Sequence, residues 1–250
     1  MKTLKITYLL ILLPLLGFGQ SHTKIGDFEK VIVSPHINLV LIKGNESAVR
    51  IESANIDDRK INVETDNDVL SIFLEGARYH NKYEKYEKYD KHYKGKWKED
   101  IYQNAEVTAY VTYRFLNSIQ VRGEQFVKSE YPIDQSSFKI VLYGEVDVQL
   151  KEVRVNDLKL ATYGENEIFI ESGSANKQII RCYGENKIDL MGISTGDIRS
   201  NLYGENRLNL RADGEIKVTA FGESDIRFSG DAYINKGIII GDTYIKRITE

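Results

Sequence analysis

The chain has 250 residues, of which 42% are hydrophobic and 28% are charged, and this composition is that of a globular protein rather than a disordered or membrane-embedded one. Its 34 lysines and arginines against 37 acidic residues give a net charge of -3. A nucleic-acid partner is therefore not expected, since it would require a basic surface. Cys182 is the single cysteine, which excludes an internal disulfide, and the alternating apolar residues around it predict a buried thiol.

Residues 1–19 have the pattern of a secretory signal peptide. Two lysines precede an apolar run over residues 8–16, and two glycines precede a cut before Gln20. This run is shorter than the roughly 20 apolar residues that a transmembrane helix requires. We therefore expect an exported protein with no transmembrane segment in the mature chain.

Residues 20–75 contain three apolar stretches that begin at Phe28, Val49 and Leu70, about 21 residues apart. We interpret them as degenerate coils of a longer repeat, which resumes from Val107. One elongated domain over residues 24–250 is therefore predicted, interrupted by an insert.

The insert covers about residues 77–104 and alternates lysine with tyrosine, as in KYEKYEKYDKHYKGKWK. An amphipathic helix, a long hairpin and a mobile loop are all compatible with this pattern. Inserts that project from a repeat protein often carry its binding function, and this one suits an anionic polymer, a polysaccharide or a membrane surface. The alternative is a solvated loop whose lysines and acids neutralise each other. The candidate contact residues are Tyr83, Tyr86, Tyr89, Tyr93 and Trp97.

Beyond the insert, the chain repeats a short motif centred on glycine. YGEN occurs at Tyr163, Tyr183 and Tyr203, with YGEV twenty residues earlier at Tyr143 and FGES eighteen residues later at Phe221. Both flanks of the motif alternate apolar and polar residues, which indicates half-buried strands. The fold class predicted is all-β, a parallel β-helix (β-solenoid) with coils of about 20 residues, because a propeller blade needs about 40.

The glycine and the amide of the motif are expected to build the corner of each coil. Glycine has the inward parity, where a side chain would collide with the core. The amides of Asn166, Asn186 and Asn206, with Ser224 next in the column, face inward beside the bend. Stacked amides there can hydrogen-bond from coil to coil.

The aromatic and acidic residues of the motif face outward in two columns, on coils about 4.8 Å apart. The aromatic column consists of Tyr143, Tyr163, Tyr183, Tyr203 and Phe221. The acidic column consists of Glu145, Glu165, Glu185, Glu205 and Glu223. Stacked rings stabilise each other by about 0.5–1.5 kcal/mol per pair, whereas neighbouring carboxylates repel by about 1 kcal/mol in water.

Three interpretations of the acidic column stay open. It is either an exposed stripe that aids solubility and blocks edge pairing, a divalent-cation site, or a contact surface for a sugar or another partner. Calcium (Ca2+) is the candidate cation, because it takes carboxylate oxygens from several residues; no other cofactor is predicted. Stacking of a sugar on the aromatic column is disfavoured, since the packed rings hide their faces from it.

No catalytic constellation is recognisable. The four histidines form no cluster with metal-ligand spacing, and no nucleophile elbow, P-loop or Rossmann fingerprint occurs. A carbohydrate-active β-helix enzyme, of polysaccharide lyase or hydrolase type, is one alternative, because two carboxylates suffice for such chemistry. Identical stacked carboxylates, however, lack the unlike environments that separate an acid from a base. We expect a protein that is not an enzyme, with a cation-stabilised scaffold as the other alternative.

Several segments together resemble a known family. They are the opening FEKVIVSPHINLVLIKG, the segment AYVTYRFLNSIQVRGE, the glycine-centred repeats and the closing GIIIGDTYIKRI. Over roughly Phe28 to Ile248 the chain resembles the putative auto-transporter adhesin, head GIN domain family, secreted by Gram-negative bacteria. The resemblance implies an exported solenoid with an adhesive role and no catalytic residues. We therefore predict a non-enzymatic binding or structural module of the cell envelope, located in the periplasm, on the outer surface or outside the cell. Its expected partner is a polysaccharide or a cell-envelope or surface protein.

Overall fold

A computed structural model describes residues 23–76, 102 and 105–249 of the chain. Most of these residues lie in strands; one 3-10 turn spans Asp58–Lys60, and no α-helix occurs in the described part. The strands are β1 (Thr23–Lys24), β2 (Lys30–Val33), β3 (Ile37–Lys43), β4 (Ala48–Ala54), β5 (Ile61–Asp66), β6 (Val69–Leu74), β7 (Glu106–Tyr113), β8 (Ser118–Gly123), β9 (Phe126–Ser129), β10 (Ile133–Asp134), β11 (Ser137–Gly144), β12 (Asp147–Ala212), β13 (Glu215–Ser229), β14 (Tyr233–Ile240) and β15 (Thr243–Arg247).

The strands wind into a parallel β-solenoid of stacked coils of about 20 residues, which confirms the predicted fold class. β11 pairs in parallel with β12, so that Tyr143 lies beside Tyr163. β12 pairs in the same way with β13, where Tyr203 lies beside Phe221. β12 is a single run of 66 residues, because the corners of successive coils stay hydrogen-bonded to each other as the flat segments do.

Two long walls face each other across the core. The first wall contains β2, β6, β8, β11 and the residues that precede each motif glycine. The second wall contains β3, β7, β9, β15 and the residues that follow the motif. Short β10 joins the stack between them by pairing with β12.

The inward side chains of both walls form aliphatic columns. One such column, from the second wall, is Val148, Ile168, Ile188, Leu208 and Ile226, all of them buried. Fully burying one aliphatic side chain stabilises a fold by about 1.5–3 kcal/mol, so stacking of coils supplies what a single coil of this length cannot. Cys182 lies in the same interior, as predicted.

The N-terminal coils are not arranged as the sequence predicts. The stretch from Val49 is not a parallel coil: β4 runs antiparallel to β7, and β5 runs antiparallel to β6. In space, β6 and β7 form the first coil, β2 and β3 the second, and β8 and β9 the third. The prediction is wrong because alternation of side chains is the same in parallel and antiparallel strands. β4 and β5 cover the backbone edge of the first coil, which would otherwise be open to pairing.

The described residues contain no helix with the length and hydropathy needed to cross a membrane. The predicted signal peptide at residues 1–19 and all of the insert except Tyr102 lie outside the described part of the chain.

Candidate binding surface

The motif glycines turn the chain from the first wall to the second. Gly164 has a φ of 111°, and Gly144, Gly184, Gly204 and Gly222 are also left-handed. A Cβ added at Gly164 would lie 2.3 Å from the carbonyl oxygen of Gly144. The prediction that a side chain here would collide with the core is therefore wrong. Gly164 is exposed to solvent, and the backbone of the preceding coil is what leaves no room for a side chain.

The predicted amide ladder is present on the inner side of the corner. Asn166 Nδ2 donates to Asn186 Oδ1 at 3.2 Å, and Asn186 Nδ2 donates to Asn206 Oδ1 at 3.1 Å. At the start of the ladder, the backbone N–H of Val146 donates to Asn166 Oδ1. At the other end, Asn206 Nδ2 and the hydroxyl of Ser224 are both buried without a hydrogen-bond partner. The ladder thus stops where the chain exchanges asparagine for a shorter side chain.

The aromatic column is a continuous stack on the outer side of the same corner. Ring centroids along Tyr143, Tyr163, Tyr183, Tyr203 and Phe221 are 4.9, 4.9, 4.9 and 5.0 Å apart. Adjacent ring planes differ by at most 7°. The guanidinium of Arg122 lies 4.1 Å above the Tyr143 ring and closes one end of the stack.

Only the rims of these rings reach solvent. Tyr163 is 38% exposed, and Tyr183 and Tyr203 are exposed to almost the same extent. Burial raises the pKa of Tyr163, and its stacked neighbours raise it further, so its hydroxyl stays protonated and can donate a hydrogen bond. The column therefore offers a line of hydroxyl groups rather than ring faces.

The acidic column lines an open groove beside the aromatic column. This groove has a volume of about 790 Å³. It is lined by Glu165, Glu185, Glu205 and Glu223, by the asparagine ladder, and by Asp242 and Tyr244 of the last coil. Lys187, which lines the groove, forms its ion pair with Glu167 and not with the column.

No calcium site can be assigned to the groove from the described residues. Among residues 23–76, 102 and 105–249, no group of three or more histidine, cysteine or acidic side chains is placed to hold a metal ion. The role of Glu145, Glu165, Glu185, Glu205 and Glu223 as calcium ligands stays a prediction. A rise in melting temperature with millimolar calcium, reversed by a chelator, is the measurement that tests it.

A second charged feature, which sequence reasoning missed, lies on the other side of the aromatic column. Outward lysines and arginines of the first wall stand two or four residues before the rings. They are Lys139, Lys159, Arg181, Arg199 and Lys217. We call this set the basic track. Its signal was present in the sequence as cations that recur every 18 to 22 residues, but it emerges only when charges are compared between coils instead of along the chain.

A family model described as "Putative auto-transporter adhesin, head GIN domain" matches residues 27–232 of the chain. The protein belongs to this head GIN domain family. No curated protein matches its sequence.

Several solved structures are similar to this head GIN domain. A putative adhesin from Bacteroides fragilis NCTC 9343 has a TM-score of 0.65 at 15% identity, covering 92% of this chain and 96% of its own. A putative adhesin from Parabacteroides merdae ATCC 43184 has a TM-score of 0.60 at 14% identity, with coverages of 93% and 98%. A putative lipid binding protein from Parabacteroides distasonis ATCC 8503 has a TM-score of 0.63 at 12% identity, with coverages of 92% and 96%. At these identities the likeness establishes a shared fold and nothing about ligands.

The insert of this head GIN domain starts and ends at the corner that carries both columns. β6 and β7, which flank it, pair with β2 and β3, and those two strands flank the corner at His36. Tyr102 fastens the second end: its hydroxyl donates to the Glu75 carbonyl at 2.8 Å, and its ring lies 6.2 Å from that of His36. The candidate residues Tyr83, Tyr86, Tyr89, Tyr93 and Trp97 lie outside the described residues, and their role stays a prediction.

Proposed function

We propose that this head GIN domain is a non-enzymatic binding module of the cell envelope, exported and adhesin-like, whose contact surface is the corner with its two columns. The observation that carries the proposal is the stack of five rings at 4.9–5.0 Å, with hydroxyls along its rim. Each ring is packed against its neighbours in the stack, and each corner is packed against the corner of the preceding coil. Such a surface loses little side-chain entropy when it binds, which favours affinity.

Equivalence between coils supports binding over catalysis. A glycosidase or lyase needs two carboxyl groups in unlike surroundings, so that one is protonated while the other is ionised. The groove repeats one arrangement instead: Glu165, Glu185 and Glu205 stand at the same place on successive coils, beside the same asparagine. A repeating surface suits a repeating or extended partner, such as a polysaccharide or a cell-envelope protein.

The test is a binding measurement on the full chain with purified envelope polysaccharides and surface proteins. We expect saturable, reversible binding and no new reducing ends or unsaturated sugars after long incubation. Replacing Tyr163, Tyr183 and Tyr203 by serine should weaken binding at least about tenfold, or about 1.4 kcal/mol. Tyr131→Ser is the matched control, because Tyr131 is 45% exposed but lies away from the column. Turnover of a polysaccharide, or equal binding by the triple variant, would overturn the proposal.

Export is a separate part of the proposal, supported by the signal pattern of residues 1–19 and by membership of an adhesin-named family. Fractionation of the native cells should place the protein outside the cytoplasm. Sequencing of its N-terminus should then begin at Gln20. A cytoplasmic protein that keeps Met1 would refute this part and leave the binding role to be judged by itself.

A further inference from the structure

The first wall of the solenoid carries more lysines and arginines than acids. Residues 118–123, 137–144, 157–164, 177–184, 197–204 and 215–222 of this wall contain seven lysines and arginines and three acids. The three acids, Asp157, Asp197 and Glu215, are each the first residue of their segment, at the end away from the rings. Between them and the aromatic column, the outward positions of these segments hold cations and no acid.

Register places these cations in line. Lys139 pairs with Lys159, and Arg199 pairs with Lys217, in the same outward column; Ile179 occupies it on the intervening coil, where Arg181 supplies the charge two residues further on. Coils are spaced as the stacked rings are, by 4.9–5.0 Å. The basic track is thus a line of cations over five coils, in which Arg181 is displaced by two residues toward the rings, and it runs parallel to the line of tyrosine hydroxyls.

The track also differs from other charged parts of the described chain in its lack of close ion pairs. Several cations elsewhere are paired, as Lys187 is with Glu167 and Arg227 is with Asp225. None of the five track residues forms an ion pair with a described residue. Lys30 continues the same column by way of Ser118. Burial lowers the pKa of Lys30, and repulsion from Lys139 and Arg122 lowers it further.

We propose that the basic track binds a linear acidic polysaccharide of the polyuronate class, an inference that rests on the binding role proposed above. Such a chain carries one carboxylate on each sugar, so its line of anions matches a line of cations. Tyrosine hydroxyls beside the track can hydrogen-bond the sugar hydroxyls. The acidic column on the far side of the rings repels the polymer and so confines it to the track.

An anionic membrane is the competing partner, and the distribution of apolar side chains disfavours it. Binding to a membrane surface is strong when apolar residues enter the lipid beside the cations. On the tyrosine-bearing coils of this wall, the large apolar side chains with substantial exposure are the tyrosines, held rim-out. The most exposed ones of the described chain, Tyr233, Ile238, Ile240 and Tyr244, at 57–63%, all belong to the last coil, which lies beyond Lys217 at one end of the track and not along it.

The experiment measures binding of the full chain to immobilised polygalacturonate over a range of sodium chloride concentrations. We expect affinity that falls as salt rises, because the contacts are charged and exposed. Replacing Lys139, Lys159, Arg199 and Lys217 by glutamine should weaken binding at least about tenfold and flatten the salt dependence. Replacing the three lysines by arginine keeps the charge and should keep the affinity.

The matched control replaces four exposed cations that lie off the track, Lys128, Lys151, Arg154 and Lys246, by glutamine, and it should bind polygalacturonate as tightly as the wild type. Circular dichroism of each variant verifies the fold. Equal binding by the glutamine variant of the track overturns the inference. So does a wild-type protein that binds phosphatidylglycerol vesicles but not polygalacturonate. If the wild type binds another envelope polysaccharide or surface protein instead, this inference fails while the binding role stands.

Discussion

Gly164 shows how closely the solenoid depends on single residues. Its φ is 111°, and an added Cβ would lie only 2.3 Å from the Gly144 carbonyl oxygen, so Gly164→Ala should be strongly destabilising. The obstacle is backbone, which cannot rotate away, and the coils would have to separate locally. We expect a loss of at least about 2 kcal/mol in the free energy of unfolding, measured by denaturant titration.

The control for this substitution is Gly26→Ala. An added Cβ at Gly26 meets only Thr65 Cγ2, at 3.7 Å, which is ordinary contact. Its effect should stay within about 0.5 kcal/mol. Equal losses in the free energy of unfolding for the two variants would show that the corner can accommodate a Cβ at Gly164, which would contradict the prediction.

The buried thiol of Cys182 should make the stability of the fold depend on pH under alkaline conditions. Burial raises the pKa of its thiol from 9.0 to about 12. The thiol therefore loses its proton more readily in the unfolded state than in the folded state. The contribution of the buried thiol to the free energy of unfolding is complete below pH 9 and is lost as pH rises from 9 to 12. The slope expected in that window is about 1.4 kcal/mol per pH unit, measured by urea titrations at pH 7, 9, 10 and 11.

Cys182→Ala separates the thiol from other groups that titrate there, such as Tyr113, whose burial raises its pKa to about 12. The variant should be less stable at pH 7, because a cavity is left, and its stability should fall less steeply above pH 9. Parallel curves for the variant and the wild type would contradict the assignment.

At the scale of the element, the asparagine ladder ends one rung early. Asn206 Nδ2 has no partner, and the next position in the column is Ser224. Ser224→Asn would place an amide oxygen where the three preceding rungs have one. We expect a gain of about 0.5–1.5 kcal/mol from the added hydrogen bond, visible as a higher melting temperature.

The comparison variant is Ser224→Ala, which removes a hydroxyl that is already unpaired and should be close to neutral. If Ser224→Asn lowers the melting temperature below that of Ser224→Ala, the column has no space for a fourth amide at this coil. The ladder would then end for steric reasons.

The sequence predicts those features of the fold that depend on residues within a single coil. Alternation around Tyr163, Tyr183 and Tyr203 fixed the inward and outward faces, and the twenty-residue interval fixed which residues stack. The direction of β4 and β5 was not predictable, because a strand alternates in the same way whichever direction its neighbour runs. The glycine was placed correctly at the bend, but the reason that no side chain fits there is the backbone of the preceding coil, which the sequence of one coil does not reveal.

In the candidate site, too, some features could be predicted from the sequence and others could not. Both columns followed from the motif itself, since each copy contains one ring and one carboxylate. The basic track did not, because Lys139 and Arg199 have different neighbours along the chain and become comparable only through the register of the walls. Contacts that tie Tyr102 to Glu75 and His36 join residues far apart in sequence, and no local pattern marks them.

For the molecule as a whole, the two ends of the solenoid are closed in different ways. At the first end, antiparallel β4 and β5 cover the edges of the walls. At the last coil, the described chain has no such strand. Instead, Lys236 occupies the register position beside the buried Val218, and Arg247 occupies the position beside the buried Phe228. Charged residues at inward positions of an edge discourage pairing with another chain.

Arg247 is fixed in that role by two contacts. Its guanidinium lies 5.4 Å from the Phe228 ring, and it donates to the Ala232 carbonyl at 2.7 Å. Beneath it, Ile234, Ile239 and Ile245 pack on the core but are only partly buried. The end of the core is thus apolar and partly exposed, and Lys236 and Arg247 are the two cations beside it.

Removing both cations should turn this end into an association surface. We expect the double variant Lys236→Ile and Arg247→Leu to self-associate more strongly than the wild type, because the apolar columns would then continue to the open edge without a desolvation cost for charge. Sedimentation velocity over a range of concentrations measures the change. Lys246→Ile is the control, since Lys246 pairs with the outward Arg227 and not with a core residue; its sedimentation should match the wild type. A double variant that sediments as the wild type does at every concentration would show that the edge is protected by its shape and not by Lys236 and Arg247.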